Sequence, residues 1–400
     1  MTTPTRHPIL LRLSTPLVAA LLVLPAACGS AERDRVGVVL PLSGQAKVYG
    51  RSLRGGAVLA WQELAQQAEA AGEDGPAFEL DVRDSSSHPQ RAFELATELY
   101  DGGAVAVIGG ATDAEVRAMV PAAERVRRVL LSPSASSASL AGRSRYVFRL
   151  SPSSHQQAVK MGSFAALSLD LSKVGILMPG TDAGRELGAT FAEAFEHQGG
   201  EVLQAVGYPQ DPKEAGRLVE QVLEPRPEGV YLAASGADET ARHVLRELAR
   251  RGFRGTVMTT SAFAAPRLLS RTGHGTEGLV LSASPFDPDS QDPQVRAFVE
   301  AYRAEHGTAP DLYAAHGYDA VMALARAMEG EDGSSREPWE GLRSLSGYRG
   351  VTGVIQFDEQ GNVGQFPRVW VVEEGRLHEL APDGAKRSVA RADRRGAPRG

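Results

Sequence analysis

The chain has 400 residues, of which 42% are hydrophobic and 23% charged, and its formal net charge is −6. This composition is ordinary for a soluble globular protein, and the acidic balance disfavours a nucleic-acid partner. A chain of this length exceeds one small domain and is expected to form two lobes.

The first 28 residues have the pattern of a secretory signal. Arg6 and Arg12 precede an uncharged, mostly aliphatic run over residues 13–27, which is shorter than the about 20 residues that span a bilayer core. The run ends at Cys28, the only cysteine of the chain, and residues 24–28 resemble the bacterial lipobox. We therefore predict export and a lipid anchor on Cys28, with residues 29–35 as a tether; an ordinary signal peptide with an incidental cysteine is the alternative.

Strand-like and helical patterns alternate through the first part of the chain. Short apolar runs predict strands at residues 36–40, 78–82, 105–108 and 129–131. Apolar residues at helical spacing predict helices over residues 53–68, 89–100 and 113–126. This alternation is typical of parallel βαβ units.

The same alternation begins again after residue 149. Strands are predicted at residues 174–177, 230–232, 257–259 and 279–281, and helices at 184–197, 215–223 and 239–251. Two further helices are predicted at 294–305 and 314–328. The fold class predicted from this order is α/β, with two doubly wound lobes whose sheets are parallel.

The chain lacks the sequence signatures of common catalytic sites. It contains no G-x-S-x-G, S-x-x-K, H-E-x-x-H or Walker A motif, and no G-x-G-x-x-G that opens a helix. Its nine histidines are scattered without the spacing of metal ligands. We therefore expect no catalytic residues, cofactor or metal, and a hydrolase is the weakest of the functions considered.

Three segments carry a resemblance to a known family. Residues 36–50 read VGVVLPLSGQAKVYG, residues 310–328 contain a Tyr-Asp-Ala core, and residues 348–361 read YRGVTGVIQFDEQG. In their order and spacing they resemble the Leu/Ile/Val-binding family of ABC-transporter substrate-binding proteins, which have the type 1 periplasmic-binding fold. The resemblance covers about residues 36–380.

The resemblance implies a division into lobes. Residues 36–149 and 286–345 would form the first lobe, and residues 152–283 and 347–380 the second. Three crossovers near Leu150, Pro285 and Ser346 would form a hinge, and a ligand between the lobes would favour the closed state. The last residues, 381–400, are basic and poor in large apolar side chains, which predicts a disordered tail.

The resemblance also implies ligand-facing positions in the first lobe. Tyr49 matches an aromatic residue that lies against the ligand, although packing on the lobe surface is the alternative. Thr112 and Asp113 occupy a strand-to-helix turn. Asp113 would repel a carboxylate, and we expect it mainly to cap the following helix, with Thr112 as the alternative cap. The remaining predicted first-lobe positions are Ser134, Ala135 and Ser136.

The second lobe departs from the family pattern. Ala183 and Ser235 stand where the family often has aromatic residues, and Ser261 aligns with the acidic residue that would meet an ammonium group. Ser235 and Ser261 are therefore predicted ligand-facing positions without the family's side chains. One hypothesis is that Asp113 receives the ammonium from the first lobe instead.

Two functions remain after these observations. The first is an exported, lipid-anchored monomer that binds a small polar ligand and delivers it to an ABC permease. The second is a regulatory lipoprotein on the same fold that acts by protein contact, for example as an activator of a cell-wall synthase.

Overall fold

The computed structural model describes residues 1–2, 33–209, 211–234, 239–265, 268–269, 276–330 and 336–383, together with 385 and 389. Contacts between residues divide the chain into Met1–Arg33 and Asp34–Gly400, and the fold described below is that of the second unit. Within the described residues, no helix is long and apolar enough to cross a membrane.

The first sheet has five parallel strands in the order β2-β1-β3-β4-β5. Val36, Val38 and Val39 of its first strand are fully buried, because helices cover both faces of a doubly wound sheet. The strands are Asp34–Leu40 (β1), Phe78–Asp84 (β2), Ala106–Gly109 (β3), Val129–Ser132 (β4) and Val147–Arg149 (β5).

Three helices connect these strands. They are Lys47–Ala71 (α1), Pro89–Asp101 (α2) and Asp113–Val126 (α3). α2 and α3 pack together and bury one apolar cluster with Val39 and Val107, whereas Leu53 and Ala57 of α1 belong to the cluster that holds Val36 and Val38. The two helical layers therefore cover alternate side chains of the same strands.

The second sheet repeats the same order in β7-β6-β8-β9-β10 and then adds two antiparallel strands, β13 and β14, beside β10. The prediction of parallel sheets is therefore wrong for this lobe, whose sheet is mixed. Its strands are Lys173–Pro179 (β6), Glu201–Tyr208 (β7), Gly229–Leu232 (β8), Thr256–Thr260 (β9), Val280–Ala283 (β10), Arg368–Glu373 (β13) and Arg376–Glu379 (β14).

Among the described residues, four helices with full bounds flank the second sheet. They are Ser154–Leu167 (α4), Asp182–Glu196 (α5), Ala215–Leu223 (α6) and Glu239–Arg250 (α7). α4 packs against α5, and α6 against α7. Short 3-10 helices occur at Ala138–Leu140, Pro212–Glu214 and Ser261–Phe263.

The chain returns to the first sheet after β10. The returning elements are Pro293–His306 (α8), Leu312–Met328 (α9), Pro338–Ser344 (α10) and a hairpin of Tyr348–Gly350 (β11) and Gly353–Ile355 (β12). α9 packs along α1. We call the first sheet with these returning elements the first lobe, and the second sheet with α4–α7 the second lobe.

The hairpin belongs to the first lobe, contrary to the predicted start of second-lobe sequence at residue 347. Asp319 of α9 accepts hydrogen bonds from the backbone N–H groups of Val351 and Thr352, both at 2.8 Å. Arg149 also pairs with Asn362. The Gly364 N–H donates to the Gln356 carbonyl, and Gln365 Nε2 donates to the Val354 carbonyl at 2.9 Å. The chain therefore leaves the first lobe only after residue 365.

The structure tests the predictions for the two ends of the chain only in part. Cys28, residues 29–32 of the tether and most of the segment 381–400 lie outside the described residues. Strand β1 begins at Asp34, inside the predicted tether. Ala385 and Val389 are buried in the core cluster of the second lobe, so the predicted tail does not begin at residue 381.

Candidate functional site

A cavity of about 600 Å³ lies between the two lobes. Residues that follow the carboxyl ends of strands in both sheets line it, as ligand sites of doubly wound sheets do. The lining residues from the first lobe are Tyr49, Ala111–Ala114, Arg117, Ala118, Ser134–Ser137 and Tyr313, and those from the second are Ser154, Ala183, Leu187, Ala234 and Thr260–Ala262.

The turn between β3 and α3 is held by a capping box. The Thr112 hydroxyl accepts from the Glu115 N–H at 3.3 Å, and Glu115 Oε2 accepts from the Thr112 N–H at 3.2 Å. Burial raises the pKa of Glu115, whose other oxygen accepts from the Ser85 hydroxyl at 2.5 Å. Thr112 is therefore the N-cap, and the expectation that Asp113 mainly caps α3 is wrong.

Asp113 occupies the first helical position and joins two turns of the first lobe. Its Oδ1 accepts from the backbone N–H groups of Ser136 and Ser137, both at 2.9 Å. Burial raises the pKa of Asp113, while these two hydrogen bonds and the charges of Arg149 and Arg117 oppose that rise. The carboxylate of Asp113 thus holds the turn after β3 and the turn after β4 together at one wall of the cavity.

The serine-rich turn after β4 is fixed by hydrogen bonds to the neighbouring turn. The Ser132 hydroxyl donates to the Gly110 carbonyl, and the Ser134 hydroxyl to the Ala111 carbonyl, each at 3.0 Å. Ala135 is 2% exposed. Among the described residues, none forms a hydrogen bond with the Ser136 hydroxyl, which leaves that group available to a ligand.

Two tyrosines of the first lobe reach the second lobe. The Tyr49 hydroxyl donates to the Ala262 carbonyl at 2.9 Å, and the Tyr313 hydroxyl to the Ser261 carbonyl at 3.1 Å. Their ring centroids are 4.8 Å apart. Burial raises the pKa of Tyr313 well above its usual value, so its hydroxyl remains a donor.

The second-lobe wall is built from small and uncharged side chains. The Ser261 N–H donates to Gln157 Oε1 at 3.0 Å, and the Thr260 hydroxyl donates to the Ala234 carbonyl at 2.6 Å. Ala183 lines the cavity where the family often has an aromatic residue. No second-lobe lining residue that the structure describes carries a charge or an aromatic ring.

The only charged lining residues that the structure describes are Asp113 and Arg117. Arg117 lies one helical turn after Asp113, and its Nη2 donates to the Ser139 hydroxyl at 3.1 Å. In the described part of the chain, no three His, Cys, Asp or Glu side chains are grouped to hold a metal ion. The cavity therefore suits hydrogen bonding to a small polar molecule.

Most of the predicted site residues line this one cavity. Ser235 and Cys28 lie outside the described residues. The other seven predicted residues all line the cavity: Tyr49, Thr112, Asp113, Ser134, Ala135, Ser136 and Ser261. Sequence reasoning missed Tyr313, Arg117 and Thr260 as lining residues. The only signal for Tyr313 was its place in the late helix that carries the family resemblance.

Known proteins resemble the chain over most of its length. A family model described as periplasmic binding protein matches residues 35–373. A curated leucine-, isoleucine-, valine-, threonine-, and alanine-binding protein of Pseudomonas aeruginosa is 22% identical over 355 residues, which cover 88% of this chain and 93% of the relative.

Solved structures agree with this match. A leucine binding protein from Thermotoga maritima superposes with a TM-score of 0.77 at 25% identity, covering 87% of this chain and 98% of the other. An ABC transporter substrate-binding protein from Desulfitobacterium hafniense, in complex with Leu, superposes with a TM-score of 0.74 at 25% identity, covering 87% and 100%. The predicted fold class is thus confirmed, apart from the mixed second sheet.

Proposed function

This chain belongs to the periplasmic binding protein family, and we propose that it captures a small polar ligand between its lobes and delivers the ligand to an ABC permease. The predicted resemblance to the Leu/Ile/Val-binding family is confirmed by its relatives. Membership of a family of binding proteins also agrees with the prediction that the chain is not an enzyme, and it implies an exported, extracytoplasmic protein.

The cavity between the lobes is the observation that carries the proposal. Its volume of about 600 Å³ falls within the roughly 300–1,000 Å³ of pockets that enclose small ligands. Both lobes contribute to its walls, so a ligand that contacts both would favour the closed state. The names of the relatives support an amino acid as the ligand, and we extend the proposal to an amide or a related metabolite.

The proposed ligand contacts come from both walls. On the first lobe we assign the Tyr49 ring, the Ser136 hydroxyl and the turns that contain Thr112 and Ser134–Ala135. On the second lobe we assign the turn that contains Ser261. A polar ligand needs such hydrogen-bonding partners, because a buried polar group without one costs free energy.

The anchor and partners complete the proposal. Lipid on Cys28 would hold a monomeric receptor at the membrane, where it meets the permease. The lipobox-like sequence of residues 24–28 supports this anchor. The regulatory alternative has less support, since the relatives named above are binding proteins for amino acids.

A thermal screen tests ligand capture. The full chain, purified in detergent, is heated with a panel of amino acids, amino-acid amides, amines and carboxylic acids. A ligand at a hundred times its Kd should stabilise the protein by about 2.7 kcal/mol. If no compound of the panel raises the melting temperature, the proposal of small-ligand capture fails.

A substitution at Ser136 tests whether the ligand binds in this cavity. Replacing Ser136→Ala should weaken binding of a ligand from the screen about three- to tenfold, because one hydrogen bond contributes about 0.5–1.5 kcal/mol. Titration calorimetry measures the change. Ser172→Ala, at an exposed position away from the cavity, is the matched control. Equal affinity of both variants would place the ligand elsewhere.

A further inference from the structure

Two backbone donors on the first-lobe wall converge on a single oxygen atom. The N–H groups of Ser136 and Ser137 both lie 2.9 Å from Asp113 Oδ1, and all three residues line the cavity. Successive N–H groups that converge in this way form an anion-binding site. The carboxylate of the protein itself already fills that site.

Two neighbouring donors, both of Thr112, are occupied in the same manner. The Thr112 N–H donates to Glu115 Oε2 at 3.2 Å, and the Thr112 hydroxyl lies 3.1 Å from the same oxygen. The start of α3 would otherwise attract an anion, because it presents backbone donors and the positive end of the helix dipole. Two internal carboxylates, those of Asp113 and Glu115, thus replace an external anion at this wall.

We infer that Asp113 excludes a carboxylate group from the first-lobe wall and selects a ligand that presents N–H donors there, as an amine or amide does. The inference rests on the proposed function, namely that the cavity holds a small ligand. A ligand carboxylate at hydrogen-bonding distance would face the negative charge of Asp113 and would find the N–H groups of Ser136 and Ser137 already occupied.

The surroundings of Asp113 support this assignment. No second-lobe lining residue in the described ranges is acidic, so Asp113 is the one described carboxylate on the cavity wall. Burial raises its pKa, which means that its charged form lacks solvation that a ligand N–H group would restore. Arg117, one turn later on the same helix, is the one described basic lining residue, and its Nη2 donates to the Ser139 hydroxyl at 3.1 Å.

Three compounds of one shape test the inference. Leucine carries both an ammonium and a carboxylate, leucinamide lacks the carboxylate, and 4-methylpentanoate lacks the ammonium. Titration calorimetry with the full chain in detergent gives the affinity of each. The wild-type protein should bind leucinamide at least about tenfold more tightly than 4-methylpentanoate, since a hydrogen bond to a charged group is worth about 1.5–3 kcal/mol.

Replacing Asp113→Ser should reverse this preference, because it empties the site formed by the two N–H groups. We expect 4-methylpentanoate to bind the variant at least about tenfold more tightly than it binds wild type. Asp113→Asn removes the negative charge, so it should lose affinity for leucinamide. Because it keeps an oxygen that accepts from Ser136 and Ser137, it should gain less affinity for 4-methylpentanoate than Asp113→Ser does. It also provides the test if Asp113→Ser does not fold.

Asp182 provides a matched control in the second lobe. It also follows a threonine N-cap, Thr181, but its side chain is 99% exposed, and it does not line the cavity. Asp182→Ser should leave all three affinities unchanged.

The outcomes separate the inference from the proposed function. If some compound of the thermal panel binds wild type, but Asp113→Ser gains nothing for 4-methylpentanoate, the inference alone is overturned. Equal binding of leucinamide and 4-methylpentanoate to wild type overturns it as well. If no compound of the panel binds wild type, both the proposed function and the inference fail.

Discussion

Arg149 is buried behind the serine turn that lines the first-lobe wall. It is 2% exposed, and its Nη1 donates to the Ser137 carbonyl at 2.5 Å while its Nε donates to Asn362 Oδ1 at 3.1 Å. Burial lowers its pKa, and the charges of Asp113 and Asp358 oppose that change. Arg149 thus ties the cavity wall to the segment that follows the hairpin.

A buried histidine gives the stability of the protein a predictable dependence on pH. His316 of α9 is 2% exposed, its Nε2 lies 2.9 Å from the Ser284 hydroxyl, and burial lowers its pKa to about 3. Below pH about 6.5 the unfolded chain binds a proton at this histidine that the folded chain does not. The free energy of unfolding therefore decreases as the pH falls from about 6.5 towards 3, because protonation of this histidine favours the unfolded chain.

Replacing His316→Gln removes this titration. Between pH 7 and pH 4, the unfolding free energy of wild type should fall by about 3 kcal/mol more than that of the variant. Urea unfolding of both proteins at each pH measures the change, and the other titrating groups cancel in the comparison. A difference between the two proteins that stays constant with pH would contradict the buried, neutral state of His316.

At the scale of elements, the crossing of α1 and α9 depends on glycine. A Cβ atom on Gly317 would lie 2.0 Å from the Leu53 carbonyl oxygen, and one on Gly56 would lie 1.8 Å from the Ala314 carbonyl oxygen. The two backbones therefore approach more closely than any side chain would allow. This contact also positions Tyr49 and Tyr313, which stand in the first turns of the two helices.

Replacing Gly317→Ala should destabilise the protein by about 3 kcal/mol, because the added methyl group forces the two helices apart. Gly216→Ala in α6 is the matched control. Its Cβ would lie 3.6 Å from the nearest atom, Glu247 Oε1, so alanine there should stabilise the helix by about 0.5 kcal/mol. Urea unfolding distinguishes the two, and equal stability of both variants would argue against the close crossing.

The strands that the sequence did not predict lie mainly at sheet edges. β5, β7 and β14 are the terminal strands of their sheets. An edge strand has one neighbour and is often partly exposed, so it lacks the continuous apolar run that made β1 recognisable. β7 shows this in its largely exposed or half-buried residues.

Helix α4 was missed because Ala, Gly and Ser fill much of it and weaken the apolar periodicity.

At the scale of the whole molecule, the site was predictable where it follows strands of the first sheet. The turns at Thr112 and Ser134 come directly after apolar runs, and the family resemblance placed them together. Tyr313 and Thr260 could not be predicted in this way, because each is distant in sequence from those turns and only the folding of the chain brings it to the cavity. The role of Thr112 as the cap was decided by the position of Glu115, three residues later, in the capping box.

The two tyrosines that cross between the lobes should control how far the protein opens without a ligand. Tyr49 and Tyr313 donate directly to the carbonyls of Ala262 and Ser261. The double replacement Tyr49→Phe and Tyr313→Phe removes both bonds but keeps the rings. At about 1 kcal/mol each, their loss should shift the balance towards the open form about 30-fold, and small-angle scattering should show a larger radius of gyration.

Tyr100→Phe separates this effect from the general loss of a tyrosine hydrogen bond. The Tyr100 hydroxyl donates to the Val129 carbonyl at 2.8 Å within the first lobe, so its removal should leave the radius of gyration unchanged. A saturating ligand should restore the compact form of the double variant, because ligand contacts to both lobes favour closure. Identical scattering of wild type and double variant would mean that other contacts hold the lobes together.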